Sequence, residues 1–456
     1  MVVPYTSLPE TQWPAIAEPY AAGVLAVLFQ LEQTQWWSQA ELAVQQARQL
    51  KVVVDHAYRT VPFYREKLDS LNLSPSGATS AEGWQRIPLL QKRDVQIAGS
   101  SLHSTAVPKG HGDVSTAMTS GSTGEPTTVC TTGLTSFFWR VFALRDHLWH
   151  RRDFAQPFAA IRFVPGQEAM PPAGVQVEHW GAPTNNIVPS GRGHVLNLKS
   201  SIEEQAAWLR YVNPGYVLAY PCVLQGVAEL FESRSWTLPR LQELSTFGEI
   251  LEPRCRAVCQ RVFGVKVVDT YSSEEAGCIA LQCPDHEHYH VQSENVLIEV
   301  LDEAGQPCTP GQTGKVVLTT LHNFAMPLLR YEIGDYAEVG DACPCGRGLL
   351  VLKRILGRSR NLLVMPNGER RPPVFTIEDM RELPPFFQYQ IVQRSVEEIE
   401  LNVVRPTAGL TVEEHAVVER FVQQSLGYPF KVTINCVEAI PRNPTGKFEV
   451  FISHVQ

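Results

Sequence analysis

The chain is predicted to be α/β. A large N-terminal domain combines mixed and parallel sheets with a strand-rich, barrel-like subdomain, and a small α+β domain follows. Three observations predict this. From about residue 135, apolar strand-like runs alternate with amphipathic stretches, the pattern of α/β layers around a partly parallel sheet. Residues 290–356 change to short apolar or alternating runs between Gly and Pro turns. Past residue 361 the pattern resets. A chain of 456 residues holds two to four domains at roughly 150 residues each. The division expected here is 1–360 and 361–456, with a hinge near 357–362.

Residues 15–70 read as helical. Val44, Ala47, Leu50 and Val54 fall at helical spacing between Glu41 and His56, and Pro62-Phe63-Tyr64 interrupts, as proline does. Thr135 to His150 is a helix. Tyr216 to Tyr220 is a short apolar run, Ala228 to Phe231 a helix and Leu244 to Phe247 a strand. Arg254 to Phe263 is a helix and Lys266 to Tyr271 a strand. The strand-rich region is carried by the runs starting at Val296, Gly314 and Leu349. Gln388 to Val392, Glu397 to Val404, a helix from Val412 to Ser425, and Lys431 to Val437 make the last unit.

Composition removes some functions. A net charge of −8 argues against general nucleic-acid binding, which needs a basic face. No apolar run approaches the ~20 residues of a membrane helix, and the N-terminus lacks a signal-peptide pattern. A cytoplasmic protein is expected. Its ten cysteines are then mostly small buried hydrophobes, Cys255 and Cys259 among them. Trp36, Trp37, Trp139 and Trp149 read as core or interface aromatics.

The most informative run is Thr119-Ser-Gly-Ser-Thr-Gly-Glu-Pro-Thr127. Its glycines let backbone amides approach a ligand, successive amides form an anion nest, and Ser120, Ser122, Thr123 and Thr127 add short donors. A polyphosphate such as ATP suits it. It lacks the Gly-Lys-Ser/Thr of a Walker A loop, and a flexible Ser/Gly linker has the same composition. Farther on, Asp269-Thr270-Tyr271-Ser272-Ser-Glu274-Glu275 offers a flat ring and a hard oxygen ligand for Mg²⁺. Tyr331-Glu-Ile-Gly-Asp335 ends in a carboxylate able to accept both ribose hydroxyls. Gly357-Arg358-Ser-Arg-Asn361 and Pro441-Arg-Asn-Pro-Thr-Gly-Lys447 follow. Separately, Cys343-Pro-Cys345 with Cys283 and one of His286, His288 or His290 makes a thiolate and imidazole set suited to Zn²⁺.

In this order and spacing, the motifs resemble those of the adenylate-forming enzymes over roughly residues 45–455. Pro62-Phe-Tyr-Arg-Glu-Lys-Leu68, Met326-Pro-Leu-Leu-Arg-Tyr331 and Cys343-Pro-Cys-Gly-Arg347 resemble the phenylacetate–coenzyme A ligase group, including its capsule-biosynthesis relatives. The resemblance implies that a carboxylic acid attacks the α-phosphate of ATP, giving an acyl-adenylate and pyrophosphate. The small domain then rotates and a second nucleophile takes the acyl group. Thr119, Ser120, Gly121, Ser122, Thr123 and Gly124 would hold the β- and γ-phosphates, with Thr123 counted as catalytic. Gly248 and Glu249 would border the adenine. Tyr271 would stack on the base beside Asp269 and Thr270. Glu275 would bind Mg²⁺, Asp335 the ribose, with Arg358 near it. Lys447 would bridge the carboxylate and the α-phosphate.

Two departures stand out. Ser272 and Glu274 replace the usual glycine and hydroxyl residue, so Glu274 competes with Glu275 for the metal, spacing favouring Glu275. Asn361 stands where the hinge aspartate is common. In some of the group the zinc histidine lies just before a strand, which selects His290, giving Cys283, His290, Cys343 and Cys345 as a structural site. The acid would meet the segments around Trp139 to His147, Trp180 to Thr184, Tyr216 to Pro221 and Phe247 to Gly248, with His147, Tyr220, Pro221 and Ser272 as binding residues; the more ordinary reading of His147 is a satisfied core histidine. Their apolar character leans to an aryl or apolar acid. The acceptor would be coenzyme A, with an amine or a carrier protein's phosphopantetheine as the alternative, and a non-catalytic nucleotide-binding relative as the remote one. A homodimer is implied by the group alone.

Overall fold

The computed structural model describes residues 3–11, 13–119, 127–358, 363–368, 370–371, 373, 383–384, 386, 388–405, 409–441 and 448–455. It divides into two compact units. The first comprises Met1–Phe158, Gln176–Gly193 and Asp269–Ile355, the second Ala159–Val175, His194–Val268 and Leu356–Gln456. The expected boundary at 360 cuts the sequence differently, because the second unit groups the C-terminal residues with the segments before Val268.

In the first unit, helix Gln39–Thr60 starts at a capping box in which Ser38 and Glu41 satisfy each other's backbone amides. Its buried face is Leu42, Leu50, Val53, Val54, His56 and Ala57; Leu50 and Val54 of the predicted stripe are on it, but Val44 and Ala47 are exposed, so the stripe is turned from the one predicted. Pro62 does end that helix, and it also opens the next, Pro62–Ser70, since the missing amide costs nothing at a first helical position. Helix Gly133–Trp149 covers the predicted 135–150 segment.

The strand-rich stretch is an antiparallel ladder. Val296–Leu301 pairs with Thr313–Thr320, which pairs with Tyr331–Val339. Tyr289–Val291 pairs with both Val351–Arg358 and Gly277–Gln282. Leu90, Tyr64, Val316, Leu318 and Leu329 are buried in the core beneath it. Gly348 is required by close approach: a Cβ there would lie 1.8 Å from the Trp37 carbonyl oxygen, while its amide donates to the Gln35 carbonyl at 2.9 Å.

In the second unit, Tyr216–Ala219 and Glu243–Phe247 pair in parallel, joined through helix Pro221–Ser233, which is longer than the predicted 228–231. Helix Pro253–Phe263 leads to strand Lys266–Ser273. Val217, Val223, Leu224, Val227 and Phe231 fill this core, and Cys255 and Cys259 are buried in it as expected. The C-terminal part is a four-stranded sheet. Gln388–Ser395 pairs antiparallel with Glu398–Val404 and parallel with Phe451–Ser453. Glu398–Val404 pairs parallel with Lys431–Cys436. Helix Val412–Leu426 buries Val418, Val422 and Leu426 in the same core as Ile399 and Leu401. Among the described residues, no helix is long and apolar enough to cross a membrane.

Candidate functional site

Strand Lys266–Ser273 pairs with Gly277–Gln282, and the register shifts between Tyr271 and Ser272. A bulge re-aims the side chains that follow it. Tyr271 donates its hydroxyl to Asp335 Oδ2 at 2.7 Å across 64 residues, so two motifs singled out separately in the sequence meet in one bond. Both residues are buried. On the same strand Asp269 accepts from the Tyr289 hydroxyl at 2.7 Å, and its amide donates to Gln282 Oε1 at 2.8 Å. Asp269 thus braces the strand. Thr270 and Ser272 are partly buried; Glu275 is partly buried and Glu274 exposed.

The motifs of the narrower resemblance hold Asp335's strand in place. The Tyr64 hydroxyl donates to the Pro327 carbonyl at 3.0 Å and accepts the Leu329 amide at 3.0 Å; burial pushes its pKa up. Arg330, with φ of 50°, is buried, pairs with Glu299 at 3.1 Å and donates to the Ile87 carbonyl at 2.7 Å. A forked guanidinium of this kind fixes a backbone crossing. Neither role was visible from spacing.

In the second unit, Gly248 and Glu249 follow strand Glu243–Phe247. Glu249 is more engaged than an adenine-bordering residue needs to be. Its Oε2 accepts the Cys222 amide at 3.2 Å, and its Oε1 accepts the Cys222 thiol at 3.2 Å and the Phe448 amide at 2.6 Å. Tyr220 is buried with its ring 4.9 Å from Phe247, and Pro221 is buried at the first helical position. Arg358 ends strand Val351–Arg358.

Thr119 ends strand Val114–Thr119, opposite Thr127 in an antiparallel hairpin. Ser120, Gly121, Ser122, Thr123, Gly124, Asn361 and Lys447 lie outside the described residues. In the first unit His147 is sealed. Its Nδ1 is 2.7 Å from Arg152 Nη1, and Phe154, Phe158 and Trp180 pack around its ring. Burial first, then the Arg152 charge, push its pKa down to about 3. It is a neutral acceptor inside a polar knot with Asp146.

The cysteine and histidine segments converge in the first unit. Ligand atoms of Cys283, His288, His290 and Cys343 all lie within 4.8 Å of one another. Cys283 and Cys343 sulfurs are 3.8 Å apart, and Cys345 Sγ is 3.4 Å from His290 Nε2. A tetrahedral zinc with ~2.3 Å sulfur and ~2.0 Å nitrogen bonds has ligand separations of about 3.5–3.8 Å, so these residues fit the metal. His288 Nε2 lies 2.9 Å from the Cys343 sulfur, a contact shorter than a ligand edge and suited to an N–H donated to sulfur. His288 is the donor the sequence reading passed over. Residues two apart on an extended segment share a face, and that signal would have found it. Arg347 closes the cluster, bonded to Gln35 at 2.9 Å and stacked 4.5 Å over Trp149.

The fold is similar to that of solved coenzyme A ligases. Residues 382–454 match the family described as the CapK C-terminal domain. The chain is similar to the phenylacetate-coenzyme A ligase of Thermus thermophilus, 28% identical over 448 residues, covering 89% of this chain and 95% of that one. It is 24% identical to that of Escherichia coli over 440 residues, covering 90% and 94%. Among solved structures, a 2-hydroxyisobutyryl-CoA ligase in the postadenylation state superposes with a TM-score of 0.73 at 20% identity, covering 92% and 91%. An anthranilate CoA ligase bound to anthranoyl-AMP gives 0.54 at 16%, covering 74% and 66%. Over nearly its full length the chain is thus similar to phenylacetate–coenzyme A ligases.

Proposed function

We propose that the protein uses ATP to convert a carboxylic acid to an acyl-adenylate and transfers the acyl group to coenzyme A, releasing AMP and pyrophosphate. The observation that carries this is near-full-length similarity to phenylacetate–coenzyme A ligases, with Tyr271 and Asp335 already bonded to each other. In this reading Tyr271 offers its ring to the base and Asp335 accepts the ribose hydroxyls. Glu275, the less exposed of the two adjacent glutamates, takes Mg²⁺, with Thr119 to Gly124 on the phosphates. Mg²⁺ when bound neutralises phosphate charge. Lys447 brings a cation to the point where a carboxylate and the α-phosphate meet, and charge stabilisation of this kind is often the largest catalytic contribution.

The acid is aryl or apolar, in keeping with Tyr220 packed on Phe247. Cys283, His290, Cys343 and Cys345 hold a structural zinc, with His288 donating to the Cys343 sulfur. With four protein ligands filled, the ion ties the strands around Tyr289–Val291 together and leaves no position open for catalysis.

The test is a panel of aryl and aliphatic acids incubated with ATP and Mg²⁺, with coenzyme A, an amine or phosphopantetheine as acceptor. Stoichiometric AMP and acyl-coenzyme A from one class of acid is the expected result. Acyl transfer to the amine or to phosphopantetheine in preference to coenzyme A would displace the acceptor assignment. AMP-free binding of ATP with every acid would displace the enzyme itself.

A further inference from the structure

The Glu249 carboxylate sits at the start of helix Pro221–Ser233, where Cys222 is the second helical residue. The first amides of a helix have no partner within it, and the helix dipole favours an anion there. Cys222 supplies both its amide and its thiol to Glu249. The carboxylate is therefore fixed before it reaches Phe448, 199 residues away, whose amide it accepts at 2.6 Å. That amide belongs to the peptide bond joining Lys447 to Phe448. On its other side the same segment is tied to the small sheet. Gln390 Nε2 donates to the Glu449 carbonyl at 3.0 Å, the Ile391 amide donates to the Val450 carbonyl at 2.8 Å, and Phe451–Ser453 continues as a strand beside Gln388–Ser395.

We propose that Glu249 is a positioning residue that holds the Phe448 amide, next in sequence to Lys447, for the adenylation step. The inference rests on the function proposed above, with Lys447 as the adenylation lysine. A lysine side chain is a long, flexible stem, so its charge is only as well placed as its backbone. A misplacement of about 1 Å can cost roughly 10²-fold in rate. Charge-assisted hydrogen bonds to backbone amides are among the stronger ones. The bond joins the large strand-and-helix part of the second unit to the C-terminal sheet, so any movement of that sheet away from Glu249 must break it. Glu249 therefore acts on the half-reaction that uses Lys447 and not on the one that follows.

The experiment compares wild type with Glu249→Ala, Phe448→Pro (which deletes the donated N–H) and the double variant, with Lys447→Ala as the control for the underlying reading. Each is measured for adenylate formation at saturating acid, for the ATP KM, for thioester formation from supplied acyl-adenylate, and for hydrogen exchange of peptides spanning 442–453. The expected result is adenylation slowed about 10- to 100-fold, the scale of one charge-assisted bond. ATP KM stays within about threefold, thioester formation is close to wild type, and the 442–453 peptides exchange faster. The double variant should be no slower than the worse single one, because both changes delete the same bond.

A rise in ATP KM with unchanged turnover would overturn the proposal, leaving Glu249 as a nucleotide contact. So would multiplicative loss in the double variant, or equal loss in both half-reactions. If Lys447→Ala forms adenylate at the wild-type rate, the function assigned to that lysine fails and the positioning role falls with it. Faster exchange in Glu249→Ala would in that case still register the bond, so the two failures read differently.

Discussion

Replacing Cys343 by serine removes the hub of the cysteine and histidine cluster. Its sulfur is 3.8 Å from Cys283 Sγ, 2.9 Å from His288 Nε2 and accepts the Cys345 amide at 3.4 Å. Structural zinc is worth ~10–16 kcal/mol to small finger domains. Here the same strands also bury Tyr289, Val291 and Leu352 in the apolar core, so only part of that is at stake. Loss of a metal belongs with the few changes that cost about 4–5 kcal/mol. At ~2–4 °C per kcal/mol for a unit of this scale, the melting temperature should fall by roughly 8–20 °C. The assay pairs elemental analysis of the purified protein with thermal melts before and after a strong chelator. Wild type should hold one zinc, and Cys343→Ser should lack it and melt early. His288→Ala should keep most of the metal and Cys345→Ser should not, which separates the two ligand sets the distances permit. A metal-free wild type that melts with Cys343→Ser, with or without chelator, would refute the reasoning.

Lys447→Ala should lower adenylate formation by at least ~10²–10³ while ATP binding and the melting temperature stay near wild type; single-turnover measurement with a quenched adenylate assay checks this. His147 gives a pH prediction. Its pKa falls from the ordinary 6.5 to about 3 in the fold, so between about pH 3 and 6.5 only the unfolded state takes the proton. The stability it contributes is present above 6.5 and is lost as pH falls toward 3, at no more than ~1.4 kcal/mol per pH unit. His147→Gln should show a shallower acid slope in urea unfolding, and equal slopes would exclude the buried-neutral state. Gly348→Ala forces a Cβ to within 1.8 Å of the Trp37 carbonyl oxygen. The backbone must shift, and a loss of at least ~2 kcal/mol, the scale of severe overpacking, should appear in equilibrium unfolding.

The parts of the fold that were legible in the sequence are those set by local periodicity. The existence of helix Gln39–Thr60 and of the strands Tyr216–Ala219 and Glu243–Phe247 follows from apolar spacing, though of the predicted stripe only Leu50 and Val54 are buried while Val44 and Ala47 face outward. Pro62 was read as a break and is equally a start, because proline is tolerated at a first helical position. The site was legible where a motif brings its own chemistry. Tyr271 and Asp335 were each singled out, and the structure joins them. The bond between Glu249 and Phe448 spans 199 residues and has no local signature, since a backbone amide carries no sequence mark. The same holds for Tyr64 on Pro327 and Leu329, whose residue types suggest packing and not a clasp. His147 sits on a helix in a segment suited to a pocket, and the Arg152 contact fits the alternative reading of a satisfied core histidine. Ser120 to Gly124 and Lys447 rest on resemblance, being outside the described residues.

Acid-dependent exchange of labelled pyrophosphate into ATP, measured without coenzyme A, tests the central claim most directly, because exchange requires a reversible acyl-adenylate and no acceptor. The account predicts exchange with at least one aryl or apolar acid, dependent on Mg²⁺ and lost in Lys447→Ala. Folded, ATP-binding protein that catalyses no exchange across a broad acid panel would contradict it.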